Sequence, residues 1–479
     1  MLQRLSAGTV LRLLLITAWV GSLGLLVFRE TLGTRVPSST TPSLTKSETI
    51  TYELLFDHSR IGWFQSRFSP EGSKVLLSQE GRLRLNLLGK EQEVAMHLSA
   101  ELAQDLTLRR FTARLISPFY RMRAAGRMEQ GYLRYRIETD KTTINNVVRF
   151  HPPPRLGIGK RPWLIAPLPE PGRPFPVPFV DPFTLAPRTA TLTYHGREKV
   201  LVGGRVRELH RFSERFSGVR VESFLDDEGT VVQERSPAGF LMVRVPSRSI
   251  PRPAKGADLL ASVAVELAGK RPAILDGRRV RYRLVLPQPE IFQLNSGRQR
   301  FQDGILTIER EAVGEHPAPC ALDVAEPADP FVQWQHPEIK TLARKITAHA
   351  AAPLDKVRAI AAWMHANIRR QPVVGLPDAL TTLKNRVGDC NEYAVLFAAL
   401  ARAADIPSRM VAGVALFEDR FYYHSWNEVC LGRAWVSVDA TLNQVPADLG
   451  HIKFVTGGLE KASRLLALLN RLRIEGIEE

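Results

Sequence analysis

The 479-residue chain has no internal repeat and no basic run interleaved with aromatics. The first absence excludes an array of stacked identical units. The second argues against nucleic-acid binding, which a formal charge of +16 and a pI near 10.0 would otherwise permit. The arginines are instead spread along strand-like segments such as Arg82-Leu83-Arg84-Leu85 and Arg134-Tyr135-Arg136-Ile137. Attraction to an anionic membrane or envelope polymer fits that spread at least as well, so no nucleic-acid partner is expected. Cysteine is scarce, with three residues in all. Cys320 and Cys430 have the option of pairing in an oxidising compartment, but the apolar strand context of Cys430 favours a buried free thiol. With 44% apolar and 24% charged residues the composition is that of ordinary globular protein, and the length points to two or three domains.

Charge is missing altogether from Leu13 to Phe28, and tolerating Arg12 extends the apolar stretch back to Ala7. That is enough for a bilayer-spanning helix of roughly 20 residues. Arg4 and Arg12 precede it and Arg29 and Arg35 come after, so the charge asymmetry is weak, yet a basic front before an apolar segment exports the downstream chain. No small-x-small cleavage site or lipidation cysteine comes after the segment, and no polar face interrupts it. Residues 1–28 therefore read as a retained signal anchor, a single-pass transmembrane helix with the body outside the cytoplasmic membrane. Residues 29–50, with Ser, Thr and Pro concentrated from Val36 to Thr49, read as a solvated tether.

From residue 51 to 250 the apolar pattern has period two, as in Tyr52/Leu54/Phe56, Leu83/Leu85/Leu87, Val94/Met96/Leu98 and Leu133/Tyr135/Ile137. Alternation of this kind predicts antiparallel strands with one wet face. The proline-rich connection at 151–187 is expected to forbid regular ladders, while Trp163, Leu164, Phe175 and Phe179 mark it as ordered and packed. Asp226-Asp227-Glu228-Gly229-Thr230 has the composition of a hairpin turn. Residues 251–329 form a second β-rich segment, with Tyr282/Leu284/Leu286 and Ile305 to Ile308 as strands and Ala257 to Leu267 open between helix and strand.

Past residue 330 the period lengthens. Leu354, Val357, Ile360, Ala361, Met364 and Ile368 predict one amphipathic helix; a second starts at Cys390 and ends before Ile406-Pro407. Strand-like runs come next at 409–414, 424–431 and 434–438, and the spacing from Leu459 to Leu472 suggests a final helix. The expected class is α+β, with residues 330–479 as the C-terminal domain behind antiparallel β-rich domains and the transmembrane helix.

Three residues in that domain carry chemistry. Cys390 stands at a helix start, where unpaired N–H groups and the dipole lower a thiol pKa and face a developing oxyanion. Gly388 permits the turn and Asp389 is a candidate cap. His424 and Asp439 lie on successive strands joined by Leu431-Gly432-Arg433, so a hairpin brings imidazole and carboxylate together if both face the helix. A one-residue slip would send them to opposite faces, and the sequence leaves that register open. Thiol, base and orienting carboxylate are the groups that an activated cysteine nucleophile needs. Trp426 and Glu428 read as structural, and Tyr423 as lining or packing.

At these residues the chain resembles the bacterial transglutaminase-like superfamily of thiol enzymes. The resemblance runs from about Pro330 to Phe454 and rests on Gly388-Asp389-Cys390-Asn391-Glu392-Tyr393, on Leu400 to Arg409, on His424-Ser425-Trp426-Asn427-Glu428-Val429 and on Trp435 to Ala440, in the family's order. It implies a papain-like core with Cys390 as nucleophile, His424 as base and then acid, and Asp439 orienting His424. It also implies a thioester formed from a peptide or glutamine-type amide, resolved by water or by an amine, with a protein or peptide substrate, a peptidoglycan peptide among the candidates. No cofactor or metal is implied: there is no acidic calcium loop, and Trp363 is too distant in sequence for the family's upstream aromatic oxyanion donor. With the anchor, the resemblance places the chain in a bacterial inner membrane with its body in the periplasm. The alternative is an envelope scaffold that keeps the fold without catalysis.

Overall fold

Alternating apolar residues dominate the architecture. The computed structural model describes residues 44–157, 159–181, 187–216, 219–246, 258–311, 329–432 and 434–477. Strands make up 53% and helices 16% of it, so the chain is mostly β and the α+β class is corrected. The period-two segments are long and numerous, whereas the longer helices fall between residues 337 and 403.

The expected spanning helix of residues 1–28 lies outside the described residues. Among those described, no helix is long and apolar enough to cross a membrane. The transmembrane element and the single-pass inner-membrane placement are therefore withdrawn.

The first sheet has fifteen strands: β1 (Glu48–Phe56), β2 (Ser59–Glu71), β3 (Lys74–Leu87), β4 (Lys90–Ala103), β5 (Leu108–Ser117), β6 (Tyr120–Glu129), β7 (Tyr132–Thr139), β8 (Thr143–Arg149), β9 (Arg155–Leu156), β10 (Pro174–Val180), β11 (Pro187–Val202), β12 (Arg205–Phe216), β13 (Val219–Leu225), β14 (Val231–Arg235) and β15 (Phe240–Val245). Strands β1 to β8 form one meander and β10 to β15 another, joined where β15 returns beside β1. A bridge from Thr107 to Arg155 draws the far edge back toward β5, so the sheet is nearly a barrel. Its interior holds Phe68, Leu77, Leu98, Leu102, Phe111, Met122 and Ile137. Burying such side chains on one face stabilises each strand by about 1.5–3 kcal/mol per large residue.

Pro174, Pro176 and Pro178 do not break β10, which pairs with β11 along its whole length. Period two explains the difference. All three missing N–H groups fall on one side, leaving Phe175, Val177 and Phe179 to serve the β11 ladder, while the other side pairs only at Phe179 and Val180 with β9.

The second sheet contains β16 (Val265–Gly269), β17 (Arg279–Val285), β18 (Gln299–Gln302), β19 (Ile305–Glu309), β22 (Ser408–Phe417), β23 (Arg420–Leu431), β24 (Ala434–Val438), β25 (His451–Thr456) and β26 (Arg473–Ile477); the short pair β20 (Arg369–Arg370) and β21 (Val387–Gly388) stands apart. The sheet thus crosses the sequence boundary drawn at residue 330, because β16 pairs both β23 and β26. The open segment near residue 260 resolves as a short turn, α1 (Leu259–Ser262), capped by Asp258, and then β16. The expected C-terminal helix is shorter than its spacing suggested: α6 (Leu459–Ala462) gives way to a tighter turn at Ser463–Leu468 and then to β26. Leu465, Leu468 and Leu472 reach the core without a continuous helix.

Helices α2 (Pro337–Ile346), α3 (Pro353–Asn367), α4 (Ala379–Asn385) and α5 (Cys390–Ala403) cover this domain. Alanines 394, 398, 399 and 401 let α5 sit deep among its neighbours, buried from Glu392 to Ala401. Between α3 and α4 the chain from 371 to 378 lies against the first sheet. Ser117 Oγ donates to the Val374 carbonyl at 2.8 Å, Gln92 Nε2 to that of Pro372 at 3.3 Å, and Leu376 joins the first sheet's core. Gly375 is required there, since a Cβ would lie 2.4 Å from the Tyr120 ring. Gly375→Ala is expected to cost about 1–3 kcal/mol in urea unfolding, the usual penalty of overpacking; an unchanged midpoint would show that the contact yields freely.

Candidate active site

The start of α5 is built by its own sequence. Asp389 Oδ1 accepts the Asn391 N–H at 2.9 Å while Glu392 Oε2 accepts the Asp389 N–H at 3.0 Å, a reciprocal capping box. Burial beside Asp389 pushes the Glu392 carboxyl well up. A Cβ on Gly388 would meet Glu392 at 2.5 Å, so glycine is needed for this close turn. The Cys390 N–H, in the first turn, has no intrahelical acceptor and is a candidate oxyanion donor.

The register left open by the sequence resolves as Cys430 opposite Trp435 and Leu431 opposite Ala434. Continued past Asn427 opposite Val438, this puts Asp439 opposite Trp426, two residues from His424 and on the same face. The structure brings the three predicted residues together. His424 Nε2 meets Asp439 Oδ2 at 2.7 Å, which leaves Nδ1 for the Cys390 thiol, near enough that thiol and ring perturb each other's proton affinity. Cys390 is half-buried and free. Asn427 Nδ2 donates to the Ala394 carbonyl at 2.9 Å, and Ser425 Oγ bonds Asn391 Oδ1 at 2.9 Å, pinning β23 to α5.

Asp439 is 0% exposed. Its Oδ1 accepts the N–H groups of Thr441 and Leu442 at 2.8 and 3.2 Å, and its Oδ2 receives a second imidazole, His451 Nε2, at 3.1 Å. Burial alone would raise this carboxyl, but His424, His451 and their hydrogen bonds hold it far below the usual range. For His424 burial acts downward and is outweighed by Asp439, so the imidazole is raised to about 9. The thiol departs from the expectation set by the helix start. Burial, the largest influence, and the Asp389 carboxylate push Cys390 up, against the neighbouring His424 and the Ser425 N–H.

The His451 ring bonds Asp448 Oδ1 through Nδ1 at 2.9 Å. Sequence reading missed both residues; a lone histidine in the apolar strand His451-Ile452-Lys453-Phe454 looks like core, and nothing local signals its contact with Asp439. Trp426 packs against both rings, stacked on His424 at 6.2 Å and edge-on to His451 at 5.2 Å, while the two imidazoles lie 5.7 Å apart. Glu428 bridges Arg409 of β22 and Lys453 of β25, at 2.6 and 2.5 Å. Trp363 engages the Arg386 guanidinium at 4.7 Å. Cys430 is disulfide-bonded, which corrects the free-thiol reading; Cys320 lies outside the described residues.

His424, Asp439 and His451 place donor atoms within 4.8 Å of one another, the spacing of a metal cluster. The donor set does not fit one. Both Nε2 atoms are turned onto the same carboxylate oxygen and the outer nitrogen of His451 onto Asp448, so a cation would have to displace the protons that hold the group together.

A family model for the transglutaminase-like superfamily matches residues 340–440, a span that contains all three predicted residues. No curated protein matches the chain. Among solved structures, a "Putative Cysteine Protease" from Cytophaga hutchinsonii is 18% identical, covering 45% of this chain and 83% of its own with a TM-score of 0.27. A beta-barrel-like protein of unknown function from Brucella abortus is 10% identical over 41% of this chain and 93% of its own, TM-score 0.30. A "putative protease" from Parabacteroides distasonis is 10% identical over 69% and 68%, TM-score 0.19. At these scores the superpositions are too partial to argue from.

Because His424 holds its proton more tightly folded than unfolded, the stability it contributes is complete below pH about 6.5 and is lost as pH rises through about 9. His451, also raised, adds to the loss in the same direction. Asp439 is depressed and contributes only to the loss at acid pH. Urea unfolding between pH 6 and 9.5 should show a decline that Asp439→Asn flattens, with that variant weaker at pH 6 by about 3 kcal/mol as expected for a broken buried pair. A wild-type stability that does not change across this range would refute the pairing.

Proposed function

We propose that the chain is a thiol enzyme that attacks a peptide or glutamine-type amide through Cys390, His424 and Asp439. The observation that carries this reading is the imidazole bonded to a buried carboxylate on one side with the Cys390 thiol beside it. An imidazole raised to about 9 is a stronger base than an ordinary histidine, which favours proton transfer from the thiol against the burial that pushes the thiol up.

In the first half-reaction the Cys390 proton passes to His424 and Sγ bonds the carbonyl carbon. Negative charge collects on the carbonyl oxygen, where the Cys390 N–H is placed to receive it. As the C–N bond breaks, His424 returns the proton to the departing amine or ammonia and a thioester remains. Water or an amine then attacks, His424 takes its proton, and the C–S bond breaks with the proton restored to sulfur. Asp439 holds the far side of the ring throughout. Asn391 and Ser425, the chain neighbours of Cys390 and His424, line a small cleft with Ala394, Val411, Ala412 and Asp329.

A binding module that keeps the fold without catalysis is the second reading, favoured by the burial that pushes the thiol up. A panel of glutamine-containing peptides, followed for ammonia and for new amino termini, separates the two. Cys390→Ala should abolish release, and His424→Ala should slow it by about 10²–10⁴-fold. A trapped acyl adduct on Cys390 by mass spectrometry in the wild type supports the enzyme; a wild type that releases nothing and carries no adduct supports the module, and turnover undiminished in Cys390→Ala overturns the assigned nucleophile.

A further inference from the structure

The buried group continues beyond the three residues the proposed chemistry uses. His451 is 1% exposed at the start of β25, and each of its ring nitrogens faces a carboxylate oxygen: Nε2 meets Asp439 Oδ2 at 3.1 Å and Nδ1 meets Asp448 Oδ1 at 2.9 Å. A neutral imidazole has one donor and one acceptor, and a carboxylate only accepts. Both nitrogens must therefore carry hydrogen if both carboxylates are ionised. They are dressed as anions. Asp439 takes two backbone N–H groups besides its two imidazoles; Asp448 takes the Gly450 N–H at 2.9 Å and Gln444 Nε2 at 2.9 Å besides its one.

We propose that His451 is a permanently charged positioning residue, an imidazolium clamped between Asp439 and Asp448 that fixes the Asp439 carboxylate and takes up part of its charge. The proposal rests on the thiol-enzyme reading of the site. The reactive state then has alternating charge: thiolate Cys390, cationic His424, anionic Asp439, cationic His451, anionic Asp448. Without His451, Asp439 would act on His424 alone and hold its proton too tightly for return to a leaving amine. The directions agree, His451 raised by its two carboxylates and both of these lowered.

Other groups around this line are few. From β23 come His424 and the Trp426 ring; from α5, Cys390 and Tyr393, the latter sensing Arg370 and Asp439. On the Asp448 side, Arg298 donates to the Asp448 carbonyl at 2.6 Å and pairs with Glu311, and the Tyr282 hydroxyl donates to the Leu449 carbonyl at 3.4 Å.

Two measurements on the full chain test the idea without a substrate. The first is a pH titration of carbon-13-labelled histidine rings, with His424 and His451 assigned by their loss in single variants. The second is inactivation of Cys390 by iodoacetate, an anionic reagent whose reaction slows when His424 loses its charge. The His451 signal should stay in its protonated position from pH 6 to 9 in the wild type and titrate within that range in Asp448→Asn. The falling limb of the iodoacetate profile should move up by about one pH unit in both His451→Gln and Asp448→Asn. Asp448→Asn keeps His451 in place, so it stands as the test if His451→Gln fails to fold. A wild-type His451 that is neutral at pH 7, or a limb that stays put in a folded variant, overturns the proposal. A wild-type profile indifferent to His424→Ala would instead sink the thiol-enzyme reading, leaving the ring titration to decide the charge of His451.

Discussion

A carboxylate with no access to water organises the C-terminal half of this chain. Taking Asp439 out of solvent costs several kcal/mol unless every lone pair is met by a donor. Four donors meet it: two backbone N–H groups of the turn just after it and two imidazoles from different strands. Each donor demands something of the fold. The N–H pair requires the chain to turn at Asp439, which the two-way bridge with Gln444 secures, and the imidazoles require β23 and β25 to approach from either side of β22.

Burial on this scale also governs the thiol. Cys390 sits at the start of a helix that is almost wholly buried, so the usual activation by the helix end is set against desolvation, and desolvation is the larger. The groups left to ionise the sulfur are the imidazolium beside it and the Ser425 N–H. The charge on His424 depends in turn on Asp439. Reactivity is thus a property of the connected group and not of the cysteine's helix position taken alone.

The large first sheet bears on the site through the segment from 371 to 378. One end of that segment packs Gly375 against Tyr120 and sends Leu376 into the first sheet's core, and the other offers the Val373 N–H to Asp389, the residue capping the thiol's helix. The first sheet therefore meets the C-terminal domain at the residues preceding the nucleophile, and Asn385 Nδ2, donating to the Phe119 carbonyl at 2.8 Å, strengthens that junction.

Local periodicity and motif were legible in the amino acids themselves: the alternating segments became strands, α3 formed where apolar spacing placed it, α5 where spacing and the Asp389 cap did, and Cys390, His424 and Asp439 stood out by type and order. These are settled by interactions within a few residues, which sequence records directly. The balance of class, the ladder through Pro174 to Pro178, the broken C-terminal helix and the sharing of one sheet by β16 and β26 depended on partners far along the chain. So did the hairpin register that puts His424 and Asp439 on one face, and the meeting of His451 with both Asp439 and Asp448. Burial of a charge has no meaning until distant segments have closed around it, and for that reason the tertiary structure alone decided which groups share protons.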